Sequence, residues 1–158
     1  MESMVITFCG HGFIVNPTQV KKELITVLCE ILTRANNCKI TFLCGGYGHF
    51  DALAASAVDD VKSVFSSCVI EKIFVTPYIT ESYDRRNKFM GQFYDEVVYP
   101  PLENVPYRYA IAKRNEWMIE NSHLVIAYVI HAHGGAASAL RYAYRKRKRV
   151  IRLTVGCE

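Results

Sequence analysis

Three times in this chain a short apolar run stops at a cluster of glycines. Val5-Ile6-Thr7-Phe8-Cys9 runs into Gly10-His11-Gly12, and Ile40-Thr41-Phe42-Leu43-Cys44 runs into Gly45-Gly46-Tyr47-Gly48. Leu124-Val125-Ile126-Ala127-Tyr128-Val129 is followed within a few residues by Gly134-Gly135. Their hydrophobicity is continuous rather than alternating, as in strands buried on both faces. Between them lie longer stretches with helical spacing. From about Thr18 to Arg34, Val20, Leu24, Val27, Leu28, Ile31 and Leu32 share one face, behind an Asn16-Pro17 start. Further helices are expected from near His49 to Phe65, from Pro106 to about Asn121, and from Gly134-Gly135 to about Arg147. Strands at Lys72–Val75, Glu96–Tyr99 and Val150–Leu153 complete the alternation, with residues 80–94 a short helix or loop. Strands alternating with helices make parallel β-α-β units. The expected fold is α/β, a Rossmann-like three-layer sandwich with a mostly parallel sheet.

A chain of 158 residues predicts a single domain, residues 1–158, without linker, repeat or low-complexity tract. With 51% hydrophobic and 22% charged residues it has the composition of a globular protein with a real core. No segment approaches the roughly 18 consecutive apolar residues of a membrane span. Met1-Glu2-Ser3-Met4 carries no basic leader, so a cytoplasmic location is expected. Six cysteines occur without a CxxC spacing, and Cys9, Cys29, Cys44 and Cys68 sit in or beside apolar runs, as buried thiols do. Five of the 19 basic residues form the run Arg145-Lys146-Arg147-Lys148-Arg149, read as a helix end whose cations complement the dipole. Nucleic-acid binding is not expected from so short a run.

In open parallel sheets ligands bind at the carboxyl ends of strands, where glycine allows close approach and a following helix start favours an anion. Three clusters on one edge therefore predict a ligand site built from Gly10, His11, Gly12, Gly45, Gly46, Tyr47, Gly48, Gly134, Gly135, Ala136 and Ser138. Neither a Walker P-loop nor GxGxxG is present. Asp51 falls in the turn after the second cluster, as a dipole-complementing acid or a contact to a ribose or base. Arg114, four residues before Met118, is either a solvated arginine or a ligand contact. His131 and His133 flank the third cluster, but two histidines without carboxylates do not make a metal site, and no metal or cofactor is expected. Tyr47, Tyr78 and Trp117 are candidates to stack on a base, and Arg85 and Arg86 to meet phosphate.

The segment Phe42 to Ala54, with Gly45-Gly46-Tyr47-Gly48-His49-Phe50-Asp51 at its centre, resembles the first glycine motif of the SLOG superfamily, roughly GGAxGxD in its DprA and YpsA-like branches. Cys9-Gly10-His11-Gly12 is similar to the Thr-Gly-His-Arg opening of YpsA-like members, with Gly12 in place of the arginine. Arg114-Asn115-Glu116-Trp117-Met118, Ser122, Ile126-Ala127 and Gly134-Gly135 resemble the second half of YpsA-like and LOG (Lonely Guy) proteins. The resemblance spans about residues 5 to 153. It implies a Rossmann-like nucleotide-binding domain and a homo-oligomer, a dimer or higher.

LOG phosphoribohydrolases pair an arginine, matched by Arg114, with the glutamate of a PGGxGTxxE motif. Here Gly134-Gly135-Ala136-Ala137-Ser138-Ala139-Leu140 places leucine at the glutamate position. Cleaving an N-glycosidic bond calls for a carboxylate near the anomeric carbon. The expected function is thus binding of a nucleotide or ADP-ribose-like derivative, as a sensor or sequestering protein. The alternative is an N-glycosidic or phosphoribosyl hydrolase with Asp51 or Glu116 as substitute carboxylate beside Arg114.

Overall fold

The computed structural model describes residues 2–155. Of the expected 1–158 domain, Met1 and residues 156–158, Cys157 among them, lie outside the described residues. The elements follow as β1 (Ser3–Gly10), α1 (Pro17–Arg34), β2 (Lys39–Cys44), α2 (His49–Lys62), β3 (Val69–Val75), α3 (Glu81–Gly91), β4 (Glu96–Val98), α4 (Ala110–Glu120), β5 (Leu124–Tyr128), α5 (Gly135–Arg145) and β6 (Arg149–Arg152). A single 3-10 turn, Tyr107–Tyr109, leads into α4.

All strand pairings are parallel, in the order β4-β3-β2-β1-β5-β6. The chain steps outward from β1 to β4, then crosses back to place β5 on the other side of β1. Connections therefore leave β1 and β5 in opposite directions, and a crevice opens between their carboxyl ends. Side chains alternate across the sheet. Ile6 and Phe8 of β1, with Phe42 of β2, meet Leu24 and Leu28 of α1 and Phe50 and Val58 of α2. Cys9, Val125 and Ala127 meet Ile119 of α4 and Leu140 and Ala143 of α5 on the opposite face. These are the three layers that uninterrupted strand hydrophobicity implies.

Some elements depart in detail from the sequence reading. Residues 80–94 contain a true helix, α3, but none of its residues is buried. Polar contacts hold it instead: the Arg86 Nη2 donates to the Gly46 carbonyl at 2.8 Å and the Asn87 Nδ2 to the Tyr78 carbonyl at 2.8 Å. A helix with no buried face has no apolar period to read. Lys72 is an ion inside β3, 3% exposed, neutralised by Asp59 at 2.8 Å and covered by the Tyr94 ring at 4.6 Å. The basic run is broken up by the end of α5. Arg147 takes a left-handed conformation (φ 57°), and the Lys148 ammonium donates to the carbonyls of Glu120 and Ser122 at 3.1 and 3.0 Å, closing the end of α4. No helix of the described residues is long and apolar enough to cross a membrane.

Candidate functional site

The crevice between β1 and β5 holds a cavity of about 340 Å³. Cys9, Gly10, His11 and Gly12 line it from the end of β1, Tyr47 and Asp51 from the start of α2. Arg114, Asn115 and Ile111 face it from α4, and Gly134, Gly135, Ala136 and Ala139 from α5.

The glycine clusters play different parts. After Gly12 the chain runs as a loop and α1 begins only at Pro17, so the first cluster presents no helix start. It serves to close the second. The His11 and Gly12 carbonyls accept from the amides of Phe50 and His49 at 3.2 and 3.0 Å, taking two of the first amides of α2. Gly48 sits at φ +90°, and a Cβ there would lie 2.9 Å from the Gly12 Cα, so the two loops pack backbone on backbone. The Asp51 carboxylate accepts from the Tyr47 amide at 3.0 Å, completing the closure. At the start of α2 two amides are therefore already taken by loop carbonyls, where the glycine pattern alone leaves them open. At α5 the opposite holds. The amides of Gly135, Ala136 and Ala137 make no hydrogen bond among the described residues, and a Cβ at Gly134 or Gly135 would meet nothing within 4 Å.

Arg114 is 1% exposed and forms the floor between the strands. Its Nη1 donates to the carbonyls of Gly45 and Val75, each at 2.7 Å, and its Nε to the Asn115 Oδ1 at 3.0 Å. It is thus no solvated arginine but a bolt joining the ends of β2 and β3 to α4, and it also lines the cavity. Burial lowers its affinity for the proton, and the nearby Asp51 counters that. Burial likewise pushes the Asp51 carboxyl up to about 6, while Arg114 and the Tyr47 amide hold it down. The Tyr47 ring lies under the guanidinium groups of Arg86 and Arg114, at 4.2 and 5.3 Å. Its hydroxyl is buried and has no hydrogen-bond partner among the described residues.

His11 bridges the two sides of the crevice. Its Nε2 accepts from the amides of Ile130 and His131 at 2.9 and 3.3 Å, which requires the neutral ring. Partial burial and the neighbouring His131 ring, 4.7 Å away, both disfavour protonation. Burial pushes the Cys9 thiol up to about 12, and its Sγ donates to the Ala136 carbonyl at 3.4 Å, so Cys9 is a wall and no nucleophile. Among the described residues no group of three or more His, Cys, Asp or Glu could hold a metal ion.

Other candidates lie elsewhere. Gly45, Gly46 and Gly48 shape the wall from behind and do not line the cavity. Ser138 and Glu116 line a neighbouring groove between α4 and α5, where Glu116 pairs with Lys113 at 3.1 Å. Trp117 packs against the cluster of Leu43, Ile73, Val75 and Met118, and Tyr78 stacks on Tyr107 beside the tilted ring of Tyr83, so neither ring lines the cavity. Leu140 of α5 is buried in the core with Ile119 and Ala143. Phe8, Ile111, Asn115 and Ala139 also line the cavity. Only Asn115, beside Arg114, offered a sequence signal.

No family model matches the chain, and no curated protein matches it. Solved structures do share the fold. DNA processing protein A from Helicobacter pylori, studied for its single-stranded DNA binding mode, has a TM-score of 0.62 at 15% identity over 94% of this chain. DprA from Streptococcus pneumoniae gives 0.62 at 15% identity, also over 94%. The Moco carrier protein of Chlamydomonas rheinhardtii gives 0.51 at 15% identity over 97% of this chain and 77% of its own. The chain spans 64% and 50% of the two DprA chains. At such identity the likeness is one of fold, and the fold is the one the SLOG resemblance implies.

Proposed function

We propose that this protein binds a nucleotide or nucleotide-derived ligand of ADP-ribose type in the β1/β5 crevice and holds it without chemical change, as a sensor or sequestering protein. One observation carries the reading: the open first turn of α5 aims unbonded amides into a cavity at the switch point of a parallel sheet, the arrangement that favours a phosphate. The orphaned Tyr47 hydroxyl and the half-buried Asp51 supply polar contacts for a sugar or base on the opposite wall. Native mass spectrometry of the chain mixed with AMP, ADP-ribose and cyclic ADP-ribose tests it. The expected result is one ligand retained at unchanged mass. Failure of all three to bind would end the proposal. The homo-oligomer implied by the sequence resemblance is read in the same spectra.

A second reading has its own support. A carboxyl titrating near neutrality inside a cavity is suited to proton transfer. N-glycosidic hydrolysis through Asp51 predicts release of free base from a nucleoside monophosphate, lost in Asp51→Asn. Glu116, the other candidate carboxylate, lines the adjoining groove and pairs with Lys113.

A further inference from the structure

The cavity does not end at α5. Ile111 and Asn115 of α4 and Gly135 and Ala139 of α5 belong both to its wall and to that of a groove of about 600 Å³ running between the two helices. The groove carries Arg108, Arg141 and Arg145 against a single carboxylate, Glu116, which already faces Lys113. Arg141 is tied back to the first turn of α5, donating to the Ser138 hydroxyl and the Ala132 carbonyl, both at 3.1 Å. Arg108 and Arg145 make no ion pair among the described residues and rest on the rings of Tyr109 and Tyr142, at 4.8 and 5.2 Å. Arg145 lies nearly the whole length of α5 beyond Gly135, roughly 15 Å along the axis. An anion seated at the first turn of α5 is too far away to engage it.

We propose that the α4–α5 groove is a second anion subsite, so that the ligand carries two separated anionic groups, one at the open turn of α5 and one on Arg108 and Arg145. This rests on the reading of the crevice as a ligand site, and it narrows the ligand to molecules longer than a nucleoside monophosphate. The groove explains why Ser138, which stands in the glycine-motif helix, faces away from the cavity: it sits at the junction, held by Arg141. Charge complementarity selects the occupant, since three guanidinium groups in one concave surface favour phosphate oxygens over an apolar partner.

The test is calorimetric titration with AMP, ADP-ribose and inorganic tripolyphosphate. The variants are Arg108→Gln/Arg145→Gln and, as a control of equal charge on α1, Lys22→Gln/Arg34→Gln. The groove variant should lose roughly tenfold or more in ADP-ribose affinity. It should bind AMP as the wild type does, and the control should change neither. Equal losses for AMP and ADP-ribose, or no loss for either, would overturn the subsite. If neither nucleotide binds the wild type, the crevice reading falls separately, and tripolyphosphate alone decides the groove. Its binding should then be lost in the groove variant, and binding that is absent or persists there overturns the proposal. A dimer in sedimentation that dissociates only in the groove variant would assign the groove to a second copy of the chain, overturning it as well.

Discussion

Two helices of this protein start at glycines after a buried strand, and they end up as opposites. The start of α2 is braced: the His11 and Gly12 carbonyls occupy two of its first amides, and the Asp51 carboxylate occupies the Tyr47 amide. The start of α5 is bare, with Gly134 at φ +100° and open space where side chains would stand. Glycine at α2 lets two backbones touch, while glycine at α5 leaves room for something else. The same residue type at the same place in a β-α unit thus serves packing in one case and access in the other. What decides between them is whether a neighbouring loop is near enough to supply carbonyls.

Substitutions can break this contrast. The largest effect should come from Arg114→Ala, which frees the two carbonyls bolted at the closed end and removes a buried side chain. A loss of about 3–5 kcal/mol in denaturant unfolding is expected. Wild-type stability in that variant would show that the bolt carries no load. Gly48→Ala forces a Cβ into the Gly12 backbone from a left-handed conformation, and should destabilise by about 3 kcal/mol in the same measurement. Gly134→Ala, at the same positive-φ extended backbone but facing open space, should lose about 1–2 kcal/mol. Equal losses at the two positions would remove the distinction between closed and open ends.

Asp51 sharpens the comparison through pH. Its carboxyl is raised in the folded protein, so the folded state holds the proton more tightly than the unfolded chain does. Stability is therefore full below pH 4 as far as this group is concerned, and falls as pH rises towards and through about 6. Asp51→Asn keeps an acceptor for the Tyr47 amide without the buried charge. It should stabilise the protein at pH 8 by roughly 1–3 kcal/mol and flatten the profile between pH 4 and 7. An unchanged profile would mean that Asp51 is better solvated than its place behind Tyr47 implies. The smallest effect on folding belongs to Gly135→Ala, where alanine favours the helix and meets no neighbour. Stability should hold or rise by up to about 1 kcal/mol. Binding of a phosphate-bearing ligand in calorimetry should nevertheless fall, because the added methyl faces the cavity.

The fold was readable because burial on both faces leaves near-continuous apolar runs in β1, β2 and β5, broken inside them only by Thr7 and Thr41. Helices α1 and α2 were readable through their one-sided apolar faces. Helix α3 was not, since polar contacts from Arg86 and Asn87 hold it and leave no period. Lys72 looked like the polar start of a strand and is instead an ion buried within it. The sequence picked out His11, Tyr47, Asp51 and the glycines from their place at strand ends, and Arg114 from the helix before β5 and the family resemblance. It gave no means of separating residues that line the cavity from those that brace it, nor of placing Glu116 and Ser138 in the adjoining groove.

Local patterns alone determined the α/β class, the parallel sheet and the edge at which a site would form, because periodicity and strand-end glycines are properties of short segments. Only the tertiary structure decided that β1 and β5 are neighbours, that the start of α2 is closed by the His11–Gly12 loop, and that Arg114 is a buried bolt. Those outcomes depend on which distant carbonyls, carboxylates and rings come within hydrogen-bonding reach. Hydrogen bonds and desolvation act over a few ångströms of space, and distance along the chain does not reveal them.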